Sequence, residues 1–279
     1  MSELPAGWVP QEGPLASIRC GTGPRLVFVH GFTQTCRSWL PVADSFTGDH
    51  EVVLVDAPGH GRSSHVRADL RLGADLIAKV GGRATYIGYS MGGRFLLHLA
   101  LAYPDLVRSL ALLSVTGGIS NDDERNERRH DDEMLAAEIE DKGVPAFLER
   151  WLAMPMFATL PEYAKAIDDR SQNTAEGLAN SLRLAGTGSQ LPLWDRIGHI
   201  TAPTLTMAGD LDLKFTALGQ QLATSIGRNA VFRSIESAGH AALLEHPYAV
   251  IAILREWLIS IKQNPRRPSS PATVTAAIR

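Results

Sequence analysis

The sequence is poor in cysteine and has no long hydrophobic run. Cys20 and Cys36 are its only cysteines, and neither has a Cys-x-x-Cys or metal-ligand spacing, so the pattern indicates free thiols in a reducing compartment. No stretch reaches the roughly 18 apolar residues of a membrane helix, and residues 1–24 lack the basic start and apolar run of a signal peptide. We therefore expect a cytoplasmic protein without a membrane span.

A strong charge of either sign is also missing. The 27 Lys and Arg residues against 30 Asp and Glu residues give a net charge of −3, whereas a nucleic-acid-binding protein usually has a basic excess. The chain contains no Walker motif, no G-x-G-x-x-G fingerprint and no H-E-x-x-H motif, so phosphate, dinucleotide and zinc-protease sites lack support. We expect no nucleic-acid partner, no metal and no organic cofactor.

What the sequence does contain is a regular alternation of short apolar runs and helical patterns. Apolar residues at helical spacing predict helices over 91–103 and 241–261. Strands that alternate with helices form a mostly parallel sheet covered on both faces, so the predicted class is α/β. The predicted strands are 25–29, 52–56, 84–88, 106–114, 203–208 and 231–236.

The alternation stops over residues 117–195, which open with a charge-dense run and contain several prolines but no convincing strand. We interpret this segment as a helical cap inserted into a sheet domain formed by residues 25–116 and 196–262. A helical hairpin that binds a partner is the alternative. Residues 1–24 form an N-terminal extension with a possible edge strand, and the Pro-, Ser- and Arg-rich residues 263–279 predict a disordered tail. Nothing in the sequence indicates the oligomeric state.

The strongest chemical motif is Gly88-Tyr89-Ser90-Met91-Gly92, a G-x-S-x-G between a predicted strand and a predicted helix. A sharp strand-to-helix turn strains the serine backbone and leaves room only for glycine beside it.

A serine hydroxyl needs an imidazole to act as nucleophile or base, and the imidazole needs a carboxylate to fix its tautomer. His240, just after the last predicted strand, fits the chain order Ser, acid, His. Asp210 and Asp212 are both candidates for the acid; we favour Asp212, because Asp210 lies nearer the turn and suits a bond to the backbone there.

The tripeptide His30-Gly31-Phe32 follows the first predicted buried strand. The backbone N–H groups of Phe32 and Met91 would there form an oxyanion hole beside Ser90, reinforced by the amino end of the following helix. A simple glycine turn is the alternative for this tripeptide alone. We assign the segment 55–63, which follows the next strand, to the scaffold.

Several motifs together resemble known families. HGF, DAPGHGRS, GYSMGGR, GDLD and AGH, in that order, resemble the α/β-hydrolase superfamily over residues 25–262. A narrower resemblance comes from Arg94 after GYSMGG, the ERNER run with Asp132, Trp151 before MPMF, the DRSQN run at 169–173 and DLKF. These segments look like the MenH family, the 2-succinyl-6-hydroxy-2,4-cyclohexadiene-1-carboxylate synthases of menaquinone (vitamin K2) biosynthesis.

The resemblance implies an α/β-hydrolase fold and a set of site residues. Ser90, Asp212 and His240 would be the catalytic triad, and Phe32 and Met91 would supply the oxyanion hole. The implied substrate carries three carboxylates, which arginines can bind through bidentate, charge-assisted hydrogen bonds; a solvated helix face is the plain alternative for each arginine alone. The implied substrate-binding residues are Tyr89, Arg94, Arg128, Trp151, Arg170 and Lys214. The residues 241–244 after the histidine are all apolar, where some family members carry a second polar residue.

We therefore expect a lyase that converts 2-succinyl-5-enolpyruvyl-6-hydroxy-3-cyclohexene-1-carboxylate to 2-succinyl-6-hydroxy-2,4-cyclohexadiene-1-carboxylate and pyruvate. Its partner would be this small polycarboxylate, and it would need no cofactor. The first alternative is a cofactor-free serine hydrolase, an esterase or carbon–carbon hydrolase, of a small carboxylate. The second is a ligand-binding protein that keeps the fold without turnover.

Overall fold

The computed structural model describes residues 4–263, whose strands form one sheet in the order β1-β2-β4-β3-β5-β6-β7-β8. β1 and β2 pair antiparallel at one edge, and every pairing from β4 through β8 is parallel. The strands are β1 Val9–Gln11, β2 Ser17–Cys20, β3 Arg25–Val29, β4 Glu51–Val55, β5 Ala84–Tyr89, β6 Val107–Leu113, β7 Thr204–Gly209 and β8 Ala230–Ile235. The predicted α/β class is confirmed, and each predicted strand is present within one residue of its expected bounds.

Successive side chains of the central strands point to opposite, equally covered faces of this sheet. On β3, Leu26 and Phe28 belong to one buried cluster while Val27 and Val29 belong to the other. A parallel sheet needs helices on both faces, which is why its strands are near-continuous apolar runs. The helices are α1 Leu40–Ala43, α2 Leu70–Gly81, α3 Met91–Ala102, α4 Asp122–Leu152, α5 Ile167–Arg170, α6 Ala175–Ala185, α7 Trp194–Ile197, α8 Leu213–Ile226, α9 Ala242–Glu245 and α10 Pro247–Gln263.

The single helix predicted over 241–261 is wrong, because α9 ends before His246 and α10 begins at Pro247. His246 has φ −134° and ψ 60°, which is outside the helical region. A residue that precedes proline is pushed out of helical geometry by the proline ring, while proline itself is well suited to the first turn of a helix.

Between β6 and β7 the described chain holds α4 to α7 and no strand. α4 breaks at Gly143, where φ is 78°. Arg183 of α6 ties this segment together on the outside by pairing with Glu133 and Glu140 of α4. We refer to residues 122–197 as the cap. No helix within residues 4–263 is long and apolar enough to cross a membrane.

The structure can be compared with the predictions for the N-terminal extension and the C-terminal tail. The N-terminal extension contains β1 and β2, so two strands rather than one extend the sheet there. Gln263 is the last residue of α10, and the rest of the predicted tail, residues 264–279, lies outside the described residues. Cys20 and Cys36 are both free thiols.

Candidate active site

Ser90 lies at the turn between β5 and α3 in a strained backbone conformation, with φ 51° and ψ −113°. Gly88 and Gly92 on either side of Ser90 allow neighbouring backbone segments to pack closely against the turn. A Cβ at Gly92 would lie 2.2 Å from the Val29 carbonyl oxygen, and one at Gly88 would lie 2.7 Å from the Gly93 Cα. Since neither distance is tolerable for a carbon atom, the G-x-S-x-G pattern is required by packing between β3, β5 and α3.

This packing leads to a stability prediction for Gly92→Ala. The extra methyl group meets a rigid backbone carbonyl, so we expect the free energy of unfolding to fall by about 2–3 kcal/mol. Urea denaturation at neutral pH measures the change. Gly48→Ala is the matched control, because a Cβ there meets nothing within 4 Å, and its effect should stay within about 0.5 kcal/mol. Equal effects of the two substitutions would contradict the packing argument.

The other two members of the predicted triad meet Ser90 at the carboxyl edge of the sheet. His240 Nε2 lies 3.2 Å from Ser90 Oγ, and His240 Nδ1 lies 2.7 Å from Asp212 Oδ2. With Nδ1 donating to the carboxylate, Nε2 is left as an acceptor for the serine hydroxyl. The geometry therefore suits proton transfer from Ser90 to the imidazole.

Asp212 rather than Asp210 faces the imidazole because Asp212 caps α8. Its Oδ1 accepts the N–H of Phe215 at 3.2 Å, which leaves Oδ2 directed at His240. The Oδ1 atom of Asp210 is buried without a hydrogen-bond partner. The backbone bond expected for Asp210 is thus not made by this oxygen, although the choice between the two aspartates agrees with the geometry.

Glu245, which was not anticipated from the sequence, holds the loop that carries His240. Its carboxylate accepts the N–H of Gly239 at 2.7 Å and the N–H of Ala241 at 3.0 Å. Ser114 Oγ donates to the His240 carbonyl at 3.0 Å. Because the backbone is tied on both sides of it, His240 has little freedom to turn. The available signal was an acidic residue in an otherwise apolar segment directly after the histidine.

The proposed oxyanion-hole residues lie in the same place. Phe32 and Met91 line one cavity together with Ser90 and His240. Met91 is the first residue of α3, so its N–H has no carbonyl partner within the helix. The N–H of Gly31 is bound by the Gln34 side chain and that of Thr33 by His60, which fixes the backbone on both sides of Phe32.

The cavity has a volume of about 1200 Å³ and lies between the sheet edge and the cap. Arg94 is buried, donates from Nη1 to the Ala185 carbonyl at 2.7 Å, and has its pKa lowered to about 10 chiefly by burial. Arg128 donates from Nε to Asp132 at 2.8 Å. The Nε1 atom of Trp151 is buried without a partner. Four of the predicted substrate-binding residues line the cavity: Arg94, Arg128, Trp151 and Lys214.

Tyr89 and Arg170, the other two, do not line this cavity. Arg170 is buried and donates to the Thr33 hydroxyl and, at 2.8 Å, to the Lys165 carbonyl. The Tyr89 ring is packed beneath Gly31, where a Cβ would lie 2.6 Å from the ring, and 5.5 Å from the His240 ring. Both side chains contact neighbouring protein groups, and a role for them in substrate binding stays a prediction.

Two histidines behind the oxyanion loop form a buried neutral pair, with rings 5.2 Å apart. His30 Nε2 accepts the N–H of Ala57 at 3.0 Å, and His60 Nε2 accepts the N–H of Thr33 at 3.2 Å. Burial, with a smaller contribution from the nearby Arg170, lowers the pKa of His60 to about 4. Burial and the neighbouring His60 lower the pKa of His30 as well.

The low pKa of His60 predicts a loss of stability in acid. The unfolded chain takes up a proton at this ring near pH 6.5, whereas the folded protein does so only near pH 4. Stability is therefore full above pH 6.5 and falls as the pH drops towards 4, by about 3 kcal/mol from this ring. Urea unfolding at several pH values measures the slope. His60→Gln should reduce that slope, while the exposed His130→Gln should retain it; identical slopes in all three proteins would contradict the prediction.

Comparison with known proteins identifies the broad family to which the chain belongs. The model of the alpha/beta hydrolase family matches residues 26–253, which is most of the chain, and the chain belongs to that family. A thermophilic esterase from Thermogutta terrifontis shares the fold, with a TM-score of 0.76 at 22% identity. Within residues 4–263 no group of three or more His, Cys, Asp or Glu side chains could hold a metal ion.

Relatives with higher sequence identity place the chain in a narrower family. A 2-succinyl-6-hydroxy-2,4-cyclohexadiene-1-carboxylate synthase of Salmonella newport (strain SL254) is 33% identical over 246 residues, 84% of this chain and 94% of the relative. A protein of Bacillus subtilis (strain 168), provisionally assigned the same activity, is 34% identical over 267 residues, 91% of this chain and 94% of the relative. The structure of MenH from S. aureus has a TM-score of 0.82 at 27% identity and covers 92% of this chain and 99% of that one. Within the alpha/beta hydrolases, the chain is a member of the MenH family.

Proposed function

We propose that the protein is a carbon–oxygen lyase of menaquinone biosynthesis. It would convert 2-succinyl-5-enolpyruvyl-6-hydroxy-3-cyclohexene-1-carboxylate to 2-succinyl-6-hydroxy-2,4-cyclohexadiene-1-carboxylate and pyruvate. The observation that carries the proposal is the convergence, in one cavity, of the Ser90 and His240 pair with the cationic side chains of Arg94, Arg128 and Lys214. The names of the similar proteins point to the same reaction.

The first step is removal of the ring proton next to the succinyl ketone. Asp212 and His240 withdraw the hydroxyl proton of Ser90 and so make its oxygen a base strong enough to take the ring proton. The electron pair of the broken C–H bond moves onto the ketone oxygen as a dienolate. The N–H groups of Phe32 and Met91 stabilise the negative charge that develops there.

The second step expels the enolpyruvyl group. The electrons return from the dienolate oxygen, the ring carbon–oxygen bond breaks, and the ring becomes a conjugated diene. The leaving enolate takes up a proton and becomes pyruvate. No electron acceptor is needed, because the oxidation level of the products together equals that of the substrate.

Three cationic side chains of the cavity, those of Arg94, Arg128 and Lys214, are available to pair with carboxylates, and Asp131, Glu138 and Asp141 line the same cavity. Arg94 donates from Nη1 to the Ala185 carbonyl. The guanidinium has further N–H groups, which can form a bidentate hydrogen bond with a carboxylate. Arg128 is oriented by its Asp132 pair. Trp151 lines the same cavity. A general esterase has no use for so many cations.

The proposal is tested by incubating the purified protein with the enolpyruvyl precursor and coupling released pyruvate to lactate dehydrogenase. NADH oxidation that depends on both protein and precursor is the expected result. No pyruvate together with rapid hydrolysis of aryl esters would instead favour the serine hydrolase, whose triad geometry would be the same. Binding of the precursor without either turnover would favour the non-catalytic protein.

A further inference from the structure

The loop that carries Phe32 has an unusual backbone at the next residue. Thr33 is fully buried and has φ 67°, a left-handed conformation that is unfavourable for a β-branched residue. Such a conformation persists only where the surroundings hold it in place. Thr33 directly follows the proposed oxyanion donor, so contacts that hold Thr33 restrict the loop that carries the Phe32 N–H.

The cap holds Thr33 through Asn173. Asn173 Nδ2 donates to the Thr33 carbonyl at 2.7 Å and to the Arg170 carbonyl at 2.9 Å, and Asn173 Oδ1 accepts the N–H of Gly61 at 2.8 Å. The side chain is buried. Both ends of one amide thus join three segments that are far apart in the chain: the oxyanion loop, the loop after β4 and the cap.

Other contacts at the same place do not replace this one. Arg170 donates to the Thr33 side chain, and His60 accepts the Thr33 N–H. Asn173 Nδ2 is the donor that binds the Thr33 carbonyl. Without it that carbonyl would lose its partner in a buried place, and the Thr33–Gln34 peptide group could turn towards another donor.

We propose that Asn173 is a positioning residue for the oxyanion hole: by binding the Thr33 carbonyl, it makes the direction of the Phe32 N–H depend on the docked cap. The inference rests on the proposed function, in which that N–H stabilises the dienolate. The cap then sets the geometry of the catalytic amide in addition to covering the cavity. Asn173 touches neither substrate nor the reacting atoms, so its effect passes through the loop.

Two variants test the proposal. Asn173→Ala removes the whole amide, and the nearly isosteric Asn173→Asp keeps an acceptor for Gly61 while losing donation to Thr33. For both we expect kcat for pyruvate release to fall about 10- to 100-fold, less than the 10²- to 10³-fold typical for loss of an oxyanion donor. KM should change less than about threefold, because Arg94 and Arg128 are untouched.

Hydrogen–deuterium exchange supplies a measurement that does not need turnover. The amides of residues 31–35 should exchange at least about tenfold faster in both variants than in the wild type, because the loop loses its anchor. Arg183→Ala is the matched control: it removes the outer pairs with Glu133 and Glu140 and loosens the cap without contacting Thr33. It should lower the thermal unfolding midpoint while kcat and exchange at 31–35 stay at wild-type values.

The outcomes separate the two proposals. A wild-type protein that releases no pyruvate ends the lyase assignment, whereas exchange at 31–35 still tests the anchoring. Unchanged exchange in the Asn173 variants overturns the positioning role whatever the activity. A rise in KM at constant kcat, or an equal loss of kcat in Arg183→Ala, overturns it as well, since the first indicates a substrate contact and the second a general effect of cap docking.

Discussion

Ser90→Ala is expected to lower kcat/KM for pyruvate release by about 10³-fold or more. The hydroxyl oxygen 3.2 Å from His240 Nε2 is the proposed base, and a positioned base contributes about 10²- to 10⁴-fold. Without it the imidazole has no hydroxyl through which to act on the ring proton. The lactate dehydrogenase-coupled assay measures the loss against the wild type.

The loss of activity in Ser90→Ala should come from the reaction step and not from unfolding of the protein. Alanine removes only the hydroxyl and adds no atom to the strained turn, so the free energy of unfolding of Ser90→Ala should stay close to that of the wild type. Ser260→Ala, on the exposed side of α10 where Oγ binds the Trp257 carbonyl, is the matched control and should keep full activity. Pyruvate release by Ser90→Ala at the wild-type rate would remove Ser90 from the mechanism.

Arg94→Ala is expected to produce the second large effect. Arg94 lies one turn past Ser90 on α3, is buried, and lines the cavity. A carboxylate of the substrate left unpaired in this desolvated place loses about 2–4 kcal/mol of transition-state binding. That corresponds to a fall in kcat/KM of roughly 30- to 1000-fold.

The lysine variant separates charge from geometry at this position. Arg94→Lys keeps a cation but not the planar fork, so it should fall between the wild type and Arg94→Ala. Arg183→Ala, which removes a cap arginine that pairs only on the outside, should leave kcat/KM unchanged. Wild-type kinetics in both Arg94→Ala and Arg128→Ala would contradict a polycarboxylate substrate.

The stability predictions rest on features that the sequence shows only in part. G-x-S-x-G already indicated that position 92 needs glycine. The buried pair of His30 and His60 was not apparent, because each histidine belongs to a separate loop motif, the first assigned to the oxyanion hole and the second to the scaffold. Only the fold brings the two rings within 5.2 Å of each other.

Local pattern was sufficient for the strands, for α3 and for the grouping of Ser90, Asp212 and His240. Apolar periodicity is a property of neighbouring residues, so the strands and α3 could be predicted from it, and parallel strands bring the residues after them to one edge of the sheet. Ser90, Asp212 and His240 each directly follow a strand or its turn, and their meeting therefore follows from topology alone. The chain order Ser, acid, His completed that prediction.

Tertiary structure decided everything that depends on how the cap docks. Whether an arginine faces a cavity or a backbone is set by which surfaces meet, and that information is not contained in residues adjacent in the chain. Arg94 lines the cavity while Arg170 is turned onto Thr33, although both are single arginines in helices. Asn173 lies 140 positions from the carbonyl it binds, and Glu245 acts on a loop through backbone amides; contacts of these kinds leave no periodic trace in a sequence.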